Sequence, residues 1–230
     1  MSPRTPVVSM GEAVHRRNLR VRELLAQHQR DPLVIDIGAG HLHQTDLAAQ
    51  GRYFSTDIRV LPGLDFAADA TQMPLPSAGV DVVMGLELLE HVPDVLAVLR
   101  ETRRVLRPGG LALFSVPATF PRHDANDYWR FTPQGLTELA GRVFEDARVE
   151  RFGHTFEALA VLAGYYVQLL SNRAAVPLDR IVPLLERTGH RLDRRVSWAR
   201  DEQGLHTLNC DLLLVAHAPR SSPDSSAARP

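Results

Sequence analysis

Short apolar runs alternate with helical patterns along most of this chain, which is typical of an α/β protein. The apolar runs predict strands at Leu33–Ile37, 52–56, 64–68, 80–84 and 111–116, with later strands at about 144–152 and 208–217. Runs that are apolar on both faces suit a parallel sheet covered by helices on each side. After the fourth strand, a helix is predicted to end at Arg107-Pro108-Gly109-Gly110, with Gly109 as its C-cap.

Three further segments lie outside the predicted strands of the sheet. Residues 10–28 predict an N-terminal helix whose arginines form a solvated basic face, or place Arg16 or Arg17 near a ligand carboxylate. Residues 155–198 predict two helices between the last two strands, either a substrate lid or a homodimer contact. Residues 218–230 are rich in Ser, Pro and Ala and predict a disordered tail. We therefore expect one domain over residues 1–217.

Composition narrows the function classes. A chain of 230 residues with 44% apolar content suits one sizeable core, and a net charge of −1 indicates no bias toward nucleic acid. No apolar run is long enough to span a membrane, and residues 2–8 lack the form of a secretion signal. With the lone Cys210 predicted as inert core, we expect a cytoplasmic protein. All 26 basic residues are arginine, which excludes Schiff-base and phosphate-loop lysine chemistry.

The turn after the first strand carries the strongest signal for a ligand. Gly38 and Gly40 flank Ala39 and let a ligand approach the backbone between a strand and the predicted helix at 42–50. A dinucleotide site would favour a third glycine where His43 stands. The carboxylate of Asp36 would repel a pyrophosphate and attract a cationic adenosyl ligand. The alternative is an ordinary turn in which Asp36 caps backbone N–H groups.

Acidic residues follow the next two strands. Asp57 stands about 20 residues after the turn, where a carboxylate suits the two hydroxyls of a ribose. Asp69, followed by Ala70, could accept a hydrogen bond from an adenine amino group.

Together with Leu86-Glu87-Leu88-Leu89-Glu90-His91-Val92 and the 103–110 turn, these motifs resemble the class I S-adenosylmethionine-dependent methyltransferases of the small-molecule type. The resemblance covers residues 30–118 and departs at Leu42, the third position of the usual glycine triplet. It implies a Rossmann-like doubly wound sheet of seven strands, mostly parallel with the last antiparallel, and helices on both faces. It also implies an S-adenosyl-L-methionine site made by Asp36, Gly38, Ala39, Gly40, Asp57, Ile58, Asp69, Ala70, Leu86 and His91.

Methyl transfer requires alignment of the acceptor with the methyl group, and a hydroxyl acceptor can require a general base. His91 and His123 are expected where the fourth and fifth strands end, and Asp124 could act with His123 or alone. The alternative for His91 is a role in packing or in lining the pocket.

The run from Asn126 to Pro133 resembles a "DYWRFT" element found in a subset of these methyltransferases, many with glycan or secondary-metabolite functions. Tyr128 and Arg130 are candidates for binding the acceptor, and Arg130 could instead hold a neighbouring carboxylate. Trp129 and Phe131 are predicted to anchor the loop in the core. Thr132 before Pro133 predicts the N-cap of the next helix.

Several substrate classes are disfavoured. The Asn/Asp-Pro-Pro-aromatic element of enzymes that methylate nucleobase amines is missing after the fourth strand, and the spacing shows no metal-ligand cluster. We therefore expect methyl transfer to oxygen or carbon of a small-molecule acceptor, with no metal. The alternatives are a non-catalytic S-adenosylmethionine-binding module that partners another protein, and an NAD-dependent oxidoreductase, which Asp36 disfavours.

Overall fold

One seven-stranded sheet organises the described part of the chain. The computed structural model describes residues 11–41, 46–47, 51–174, 181–196 and 207–220. The strands are β1 (Leu33–Ile37), β2 (Arg52–Asp57), β3 (Phe66–Ala67), β4 (Val80–Leu86), β5 (Leu106–Pro117), β6 (Asp146–Phe152) and β7 (Asp211–His217). Their order is β3-β2-β1-β4-β5-β7-β6, and β7 runs antiparallel to both neighbours. The predicted α/β class, the seven strands and the antiparallel last strand are confirmed.

Five α-helices are described around this sheet: α1 (Gly11–His28), α2 (Val95–Val105), α3 (Pro133–Gly141), α4 (Thr155–Ala174) and α5 (Val182–Arg195). The side chain of Asp94 caps α2 by accepting from the N–H of Ala97. Thr132 caps α3 in the same way, with Pro133 in the first turn, as the sequence predicts. The predicted helix at 42–50, except residues 46 and 47, and residues 221–230 of the predicted tail lie outside the described residues. The sequence predicts a tail that begins at Ala218, but this residue is 2% exposed and hydrogen-bonds to the backbone of Gly109 and Gly110.

Helices cover both faces of the sheet. Neighbouring residues of each strand point to opposite faces, so they belong to different core clusters. Ile35 of β1 belongs to a core cluster that includes side chains of α2 and α3. Val34 belongs to a second cluster, which includes Val21 and Leu25 of α1. Cys210 is also buried, and burial raises the pKa of its thiol, as expected of an inert core cysteine. None of the described helices has the length and apolar content to cross a membrane.

The predicted role of Gly109 is wrong. Helix α2 ends at Val105, and Leu106 is already extended because it pairs with Val80 of β4. Gly109 lies within β5 at a φ of 77°, and its N–H donates to the carbonyl of Ala218 at 3.0 Å. The glycine therefore allows an irregular backbone near the beginning of β5. This strand begins at Leu106, five residues before the predicted residue 111.

The strand order places the glycine turn at a reversal of the sheet. Strand β1 pairs with β2 on one side and with β4 on the other, and both pairings are parallel. Strands β2 and β3 therefore lie on one side of β1, and β4 and the later strands lie on the other side. A crevice at the carboxyl ends of such strands is the usual ligand site of open α/β sheets.

A substitution at Gly85 in β4 can test how closely the side chains pack on the sheet. A Cβ at this position would lie 2.8 Å from Cε1 of Phe114 and 3.2 Å from Ile37. We expect Gly85→Ala to lower the free energy of unfolding by about 1–3 kcal/mol through overpacking, measured by urea denaturation. Gly141→Ala is the matched control, since nothing lies within 4 Å of its added methyl group. Equal effects of the two substitutions would contradict this account of the packing.

Candidate active site

The turn after β1 is fixed by contacts with β2 and with the segment that follows β4. Gly38 has a φ of 70°, and a Cβ there would lie 2.5 Å from Cδ1 of Leu88. The N–H of Ala39 donates to the carbonyl of Thr56 at 3.0 Å. Gly40 has a φ of 58°, which explains the second glycine. The result is a bare and fixed stretch of backbone at the carboxyl end of β1.

Asp57 ends β2 beside this turn. Its carboxylate accepts from the N–H of Gly40 at 3.2 Å and from the backbone N–H and Nε of Arg59, each at 2.9 Å. Burial alone would raise the pKa of Asp57, but the hydrogen bonds from Arg59 and Gly40 outweigh burial and lower it. Asp57 is therefore an ionised acceptor, and the Arg59 side chain over it is 60% exposed.

Asp36 lies under the turn and not in the crevice. It is 1% exposed, and one carboxylate oxygen accepts from the Tyr53 hydroxyl at 2.5 Å. An inaccessible carboxylate acts on a ligand through its charge and not through contact. The sequence placed Asp36 among the contacting residues, and this geometry limits it to an indirect role.

The remaining predicted cofactor residues line the same edge of the sheet. Ile58 follows Asp57 and is 70% exposed, while Leu86 ends β4 and is half-buried. Asp69 is exposed, and its Oδ1 accepts from the N–H and the hydroxyl of Thr71 at 2.8 and 2.7 Å. Ala70 beside it is half-buried.

A buried arginine of α1 contacts residues at the end of β5, at the start of β7 and just after β4. Arg17 is 3% exposed, so the solvated face considered for the arginines of α1 is wrong for this residue. One of its Nη atoms lies 2.5 Å from Oε1 of Glu87 and 3.0 Å from Oδ2 of Asp211, and it also contacts the Ser115 hydroxyl. Arg16 is instead half-buried and pairs with Glu157 at 2.8 Å.

Carboxyl groups outnumber cations around Arg17. Glu90 and Asp211 are both 0% exposed. Burial and the charge of Glu87 raise the pKa of Glu90 to about 9. Burial, followed by the charge of Glu87, also raises the pKa of Asp211, although Arg17 opposes this shift. The ends of β4 and β7 therefore hold acids that require protons or a further cation.

The structure brings together the two histidines that the sequence singled out. The rings of His91 and His123 lie 5.1 Å apart in an edge-to-face arrangement. Nδ1 of His91 lies 3.0 Å from the carbonyl oxygen of Asn126. Nδ1 of His123 lies 3.0 Å from Oδ2 of Asp127, although the angle is not that of a hydrogen bond.

Sequence reasoning missed Asp127 and Glu90 as neighbours of these histidines. Asp124, the predicted partner, is exposed, and its Oδ1 accepts from the N–H of Asn126 at 3.1 Å. The hydrogen bond from Asn126 lowers the pKa of Asp124. The position of Asp127, four residues after His123, was the available signal, but only the folded loop shows which carboxylate faces the ring.

The 126–133 segment is held mainly by Arg130. Its five N–H groups donate to both oxygens of Asp127 and to the carbonyls of Phe120, Pro121 and Trp129. The side chain thus has no unused donor in this conformation. Of the two expected choices for Arg130, the neighbouring carboxylate is the one observed.

The aromatic residues of this segment separate into two groups. Phe131 is 8% exposed and anchors the loop in the core, as predicted. The core position predicted for Trp129 is wrong, because its ring is 44% exposed and its indole N–H donates to the carbonyl of Val92 at 2.8 Å. Tyr128 is 50% exposed, so its ring is open to a ligand.

One helix of the 155–198 segment reaches the histidines. Phe120 lies 5.5 Å from the ring of His123 and 5.4 Å from the ring of Tyr165 in α4, measured between ring centroids. Tyr165 is 9% exposed. The described part of the segment therefore contributes Tyr165, which packs on Phe120 and through it completes an aromatic wall beside His123.

Known proteins share parts of this sequence and the fold. Residues 20–114 match the profile of a methyltransferase domain family. A segment of 43 residues is 56% identical to 27-O-demethylrifamycin SV methyltransferase of Amycolatopsis mediterranei, covering 19% of this chain and 16% of that protein. A segment of 66 residues is 44% identical to the ubiquinone/menaquinone biosynthesis C-methyltransferase of Caulobacter vibrioides, covering 27% of this chain and 26% of that protein.

The fold is similar to a solved phosphoethanolamine N-methyltransferase 2 of Haemonchus contortus in complex with S-adenosyl-L-methionine. The two share 16% identity with a TM-score of 0.56, over 89% of this chain and 52% of that one. The segments matched in the two curated relatives span less than a third of their length.

Arg17 provides a test of the buried charge cluster. Arg17→Met leaves Glu87 and Asp211 without their shared cation, and we expect it to lower the free energy of unfolding by about 3–5 kcal/mol. Arg20→Met is the matched control on the same helix, because the half-exposed Arg20–Glu150 pair is expected to contribute only about 0–1 kcal/mol. Urea denaturation measures both, and equal losses would show that Arg17 does not neutralise the cluster.

Proposed function

Residues 20–114 of this chain carry a methyltransferase domain of the class I, S-adenosylmethionine-dependent type, and we propose that the protein methylates an oxygen or carbon nucleophile of a small-molecule acceptor. The observation that carries the proposal is the pairing of a bare glycine turn with an ionised Asp57 at the reversal of the sheet. Two histidines stand on the other side of β4, where an acceptor would enter.

The residues at the turn fit S-adenosylmethionine. Asp57 is ionised and could accept from the two ribose hydroxyls once the exposed Arg59 side chain turns away. Ile58 offers an exposed apolar surface for the adenine ring, and the Asp69 carboxylate could accept from its amino group. The backbone from Gly38 to Gly40, which has positive φ at both glycines, would face the methionine portion without an intervening side chain at either glycine.

The position of Asp36 beneath the turn supports a cationic ligand over a dinucleotide. A carboxylate in a poorly hydrated position attracts a sulfonium and an ammonium group and repels a pyrophosphate. This favours the methyl donor over the NAD alternative. When bound, S-adenosylmethionine supplies an already activated methyl group, so the protein must align the acceptor and exclude water.

For the acceptor, we propose the space between His91, His123, Tyr128 and the Phe120–Tyr165 wall. His123 would serve as general base through Nε2, because its Nδ1 is on the side of the Asp127 carboxylate and Nε2 is the ring nitrogen left for the acceptor. His91 and Asp124 are the alternative bases. Arg130 would act by fixing Asp127 and the loop, and not by holding the acceptor itself.

The names of the relatives support the class of acceptor. One relative is named for the O-methylation of a rifamycin and the other for C-methylation in quinone biosynthesis. The DYWRFT-like segment favours a secondary metabolite or a glycan-related molecule. An aromatic wall suits an acceptor with an aromatic or other planar portion.

Cofactor binding tests the donor half of the proposal. Asp57→Asn should weaken binding of S-adenosylhomocysteine by about tenfold or more, because hydrogen bonds to a charged group are worth about 1.5–3 kcal/mol. Isothermal titration calorimetry measures the dissociation constant, with NADH as the competing ligand type. Asp146→Asn is the matched control, since Asp146 lies on the edge strand β6 with a 71% exposed side chain. Unchanged affinity in Asp57→Asn, or tighter binding of NADH, would refute the assignment.

Turnover tests the acceptor half. His123→Ala should lower the rate of S-adenosylhomocysteine release about 10²–10⁴-fold with hydroxylated aromatic and polyol acceptors, while the affinity for S-adenosylhomocysteine is unchanged. Full activity in this variant would exclude His123 as the base. Absence of turnover by the unmodified protein, with the donor bound, would favour the non-catalytic binding module.

A further inference from the structure

We propose that Glu90, His91 and His123 form a binding site for a divalent transition-metal ion beside the acceptor space. One candidate ligand atom from each residue lies within 4.8 Å of the other two. The set comprises two imidazoles and one carboxylate, a combination that binds zinc and other first-row divalent metals in many proteins. The linear spacing gave no sign of this set, because the 3₁₀ turn after β4 and the loop after β5 supply its members.

Glu90 is the first reason for the assignment. Its side chain is fully buried, and neither carboxylate oxygen has a hydrogen-bond partner among the described residues. A buried carboxyl without partners is costly to keep, so its position requires a compensating group.

The two nearby arginines do not hydrogen-bond to the Glu90 carboxyl group. Arg17 is in contact with Glu87 and Asp211, and Arg130 directs all five of its N–H groups to other acceptors. A metal ion between Glu90 and the histidines would neutralise this carboxyl group in place of a proton.

The orientation of the histidines is the second reason. The carbonyl of Asn126 lies against Nδ1 of His91, and Nε2 of the same ring lies 3.7 Å from Oε1 of Glu90. The Asp127 carboxylate lies against Nδ1 of His123. A backbone carbonyl or a carboxylate behind one ring nitrogen is how proteins usually fix a histidine whose other nitrogen binds a metal.

The distances suit a tetrahedral ion after small side-chain movements. Zinc–nitrogen and zinc–oxygen bonds of about 2.0–2.2 Å place neighbouring ligand atoms roughly 3.3 Å apart. The 3.7 Å between His91 and Glu90 is close to this value, and the His123 side chain would close the wider gap. Both histidines are part-exposed, at 27% and 28%, so a fourth position would remain open toward the acceptor space.

An open position has a consequence for the chemistry. A bound divalent ion would coordinate a hydroxyl of the acceptor and favour loss of its proton to solvent, leaving the oxygen as the nucleophile. In the metal-loaded protein, His91 and His123 would be ligands, and this role would replace the general-base role proposed above for His123 in the metal-free protein. This consequence rests on the proposed methyl transfer, whereas metal binding itself does not.

Metal binding can be measured directly on the untagged 230-residue chain after removal of metals with a chelator. We expect one zinc ion per chain by calorimetry against a competing chelator, and cobalt(II) to give the visible absorption of a nitrogen- and oxygen-ligated ion. Glu90→Gln and His123→Ala should each lower zinc affinity by about tenfold or more, since removing a ligand costs at least as much as disturbing its outer partners.

His217→Ala is the matched control. His217 is similarly exposed, at 34%, and also lies 3.0 Å from a carboxylate, that of Asp146, but it stands at the opposite end of the sheet. Its loss should leave zinc affinity unchanged.

The outcomes separate this proposal from the proposed function. Zinc binding lost in His123→Ala, with S-adenosylhomocysteine affinity retained, supports the site even if Glu90→Gln fails to fold. Zinc bound equally well by the unmodified protein and His123→Ala, or not bound by the unmodified protein, would overturn it. Normal zinc binding without any affinity for S-adenosylhomocysteine would count against the methyl-donor assignment alone.

Discussion

The parallel pairing of β1 with β2 and with β4 is the constraint on which the candidate site depends. Parallel strands end at the same edge of the sheet, so the glycine turn, Asp57 and Leu86 meet there although they are far apart in sequence. The turn fits only because Gly38 allows Leu88 to lie against it. A side chain at that position would separate β1 from the segment that follows β4, and with it the donor half of the site from the acceptor half.

Charge balance is the second organising feature of the molecule. On the donor side, the carboxylate of Asp57 is fully provided with hydrogen-bond donors and stays ionised. On the other side of β4, the buried acid Asp211 shares Arg17 with Glu87, and the side-chain carboxyl of Glu90 has no hydrogen-bond partner among the described residues. The first arrangement would suit neutral hydroxyl groups that replace the exposed Arg59 side chain, and the second would suit a cation.

The loop after β5 connects these features to the acceptor. Arg130 fixes Asp127, Asp127 faces His123, and His123 lies against His91. The DYWRFT-like segment thus contributes mainly a scaffold, and Tyr128 is its exposed aromatic ring. Such a scaffold explains how a loop can hold reactive groups in place, because both ends of the chain of contacts are tied to buried elements.

Local patterns determined the fold class, most of the strand positions, the N-cap of α3 and the glycine turn after β1. The reason is that these features depend on neighbours within a few residues: apolar runs make buried strands, and glycines allow the turn. Where pairing between strands mattered, the sequence was less informative, as with the early start of β5 and the role of Gly109.

The acceptor half was decided by the tertiary structure. Which carboxylate faces His123, the burial of Arg17 and the exposure of Trp129 all depend on contacts between segments distant in the chain. Such contacts produce no repeating pattern in the sequence, because each depends on one side chain at one position. The sequence by itself thus determined where a nucleotide-like ligand can lie, and only folding decided which groups surround the acceptor, since their charges become strongly coupled once the sheet has brought them together and excluded water.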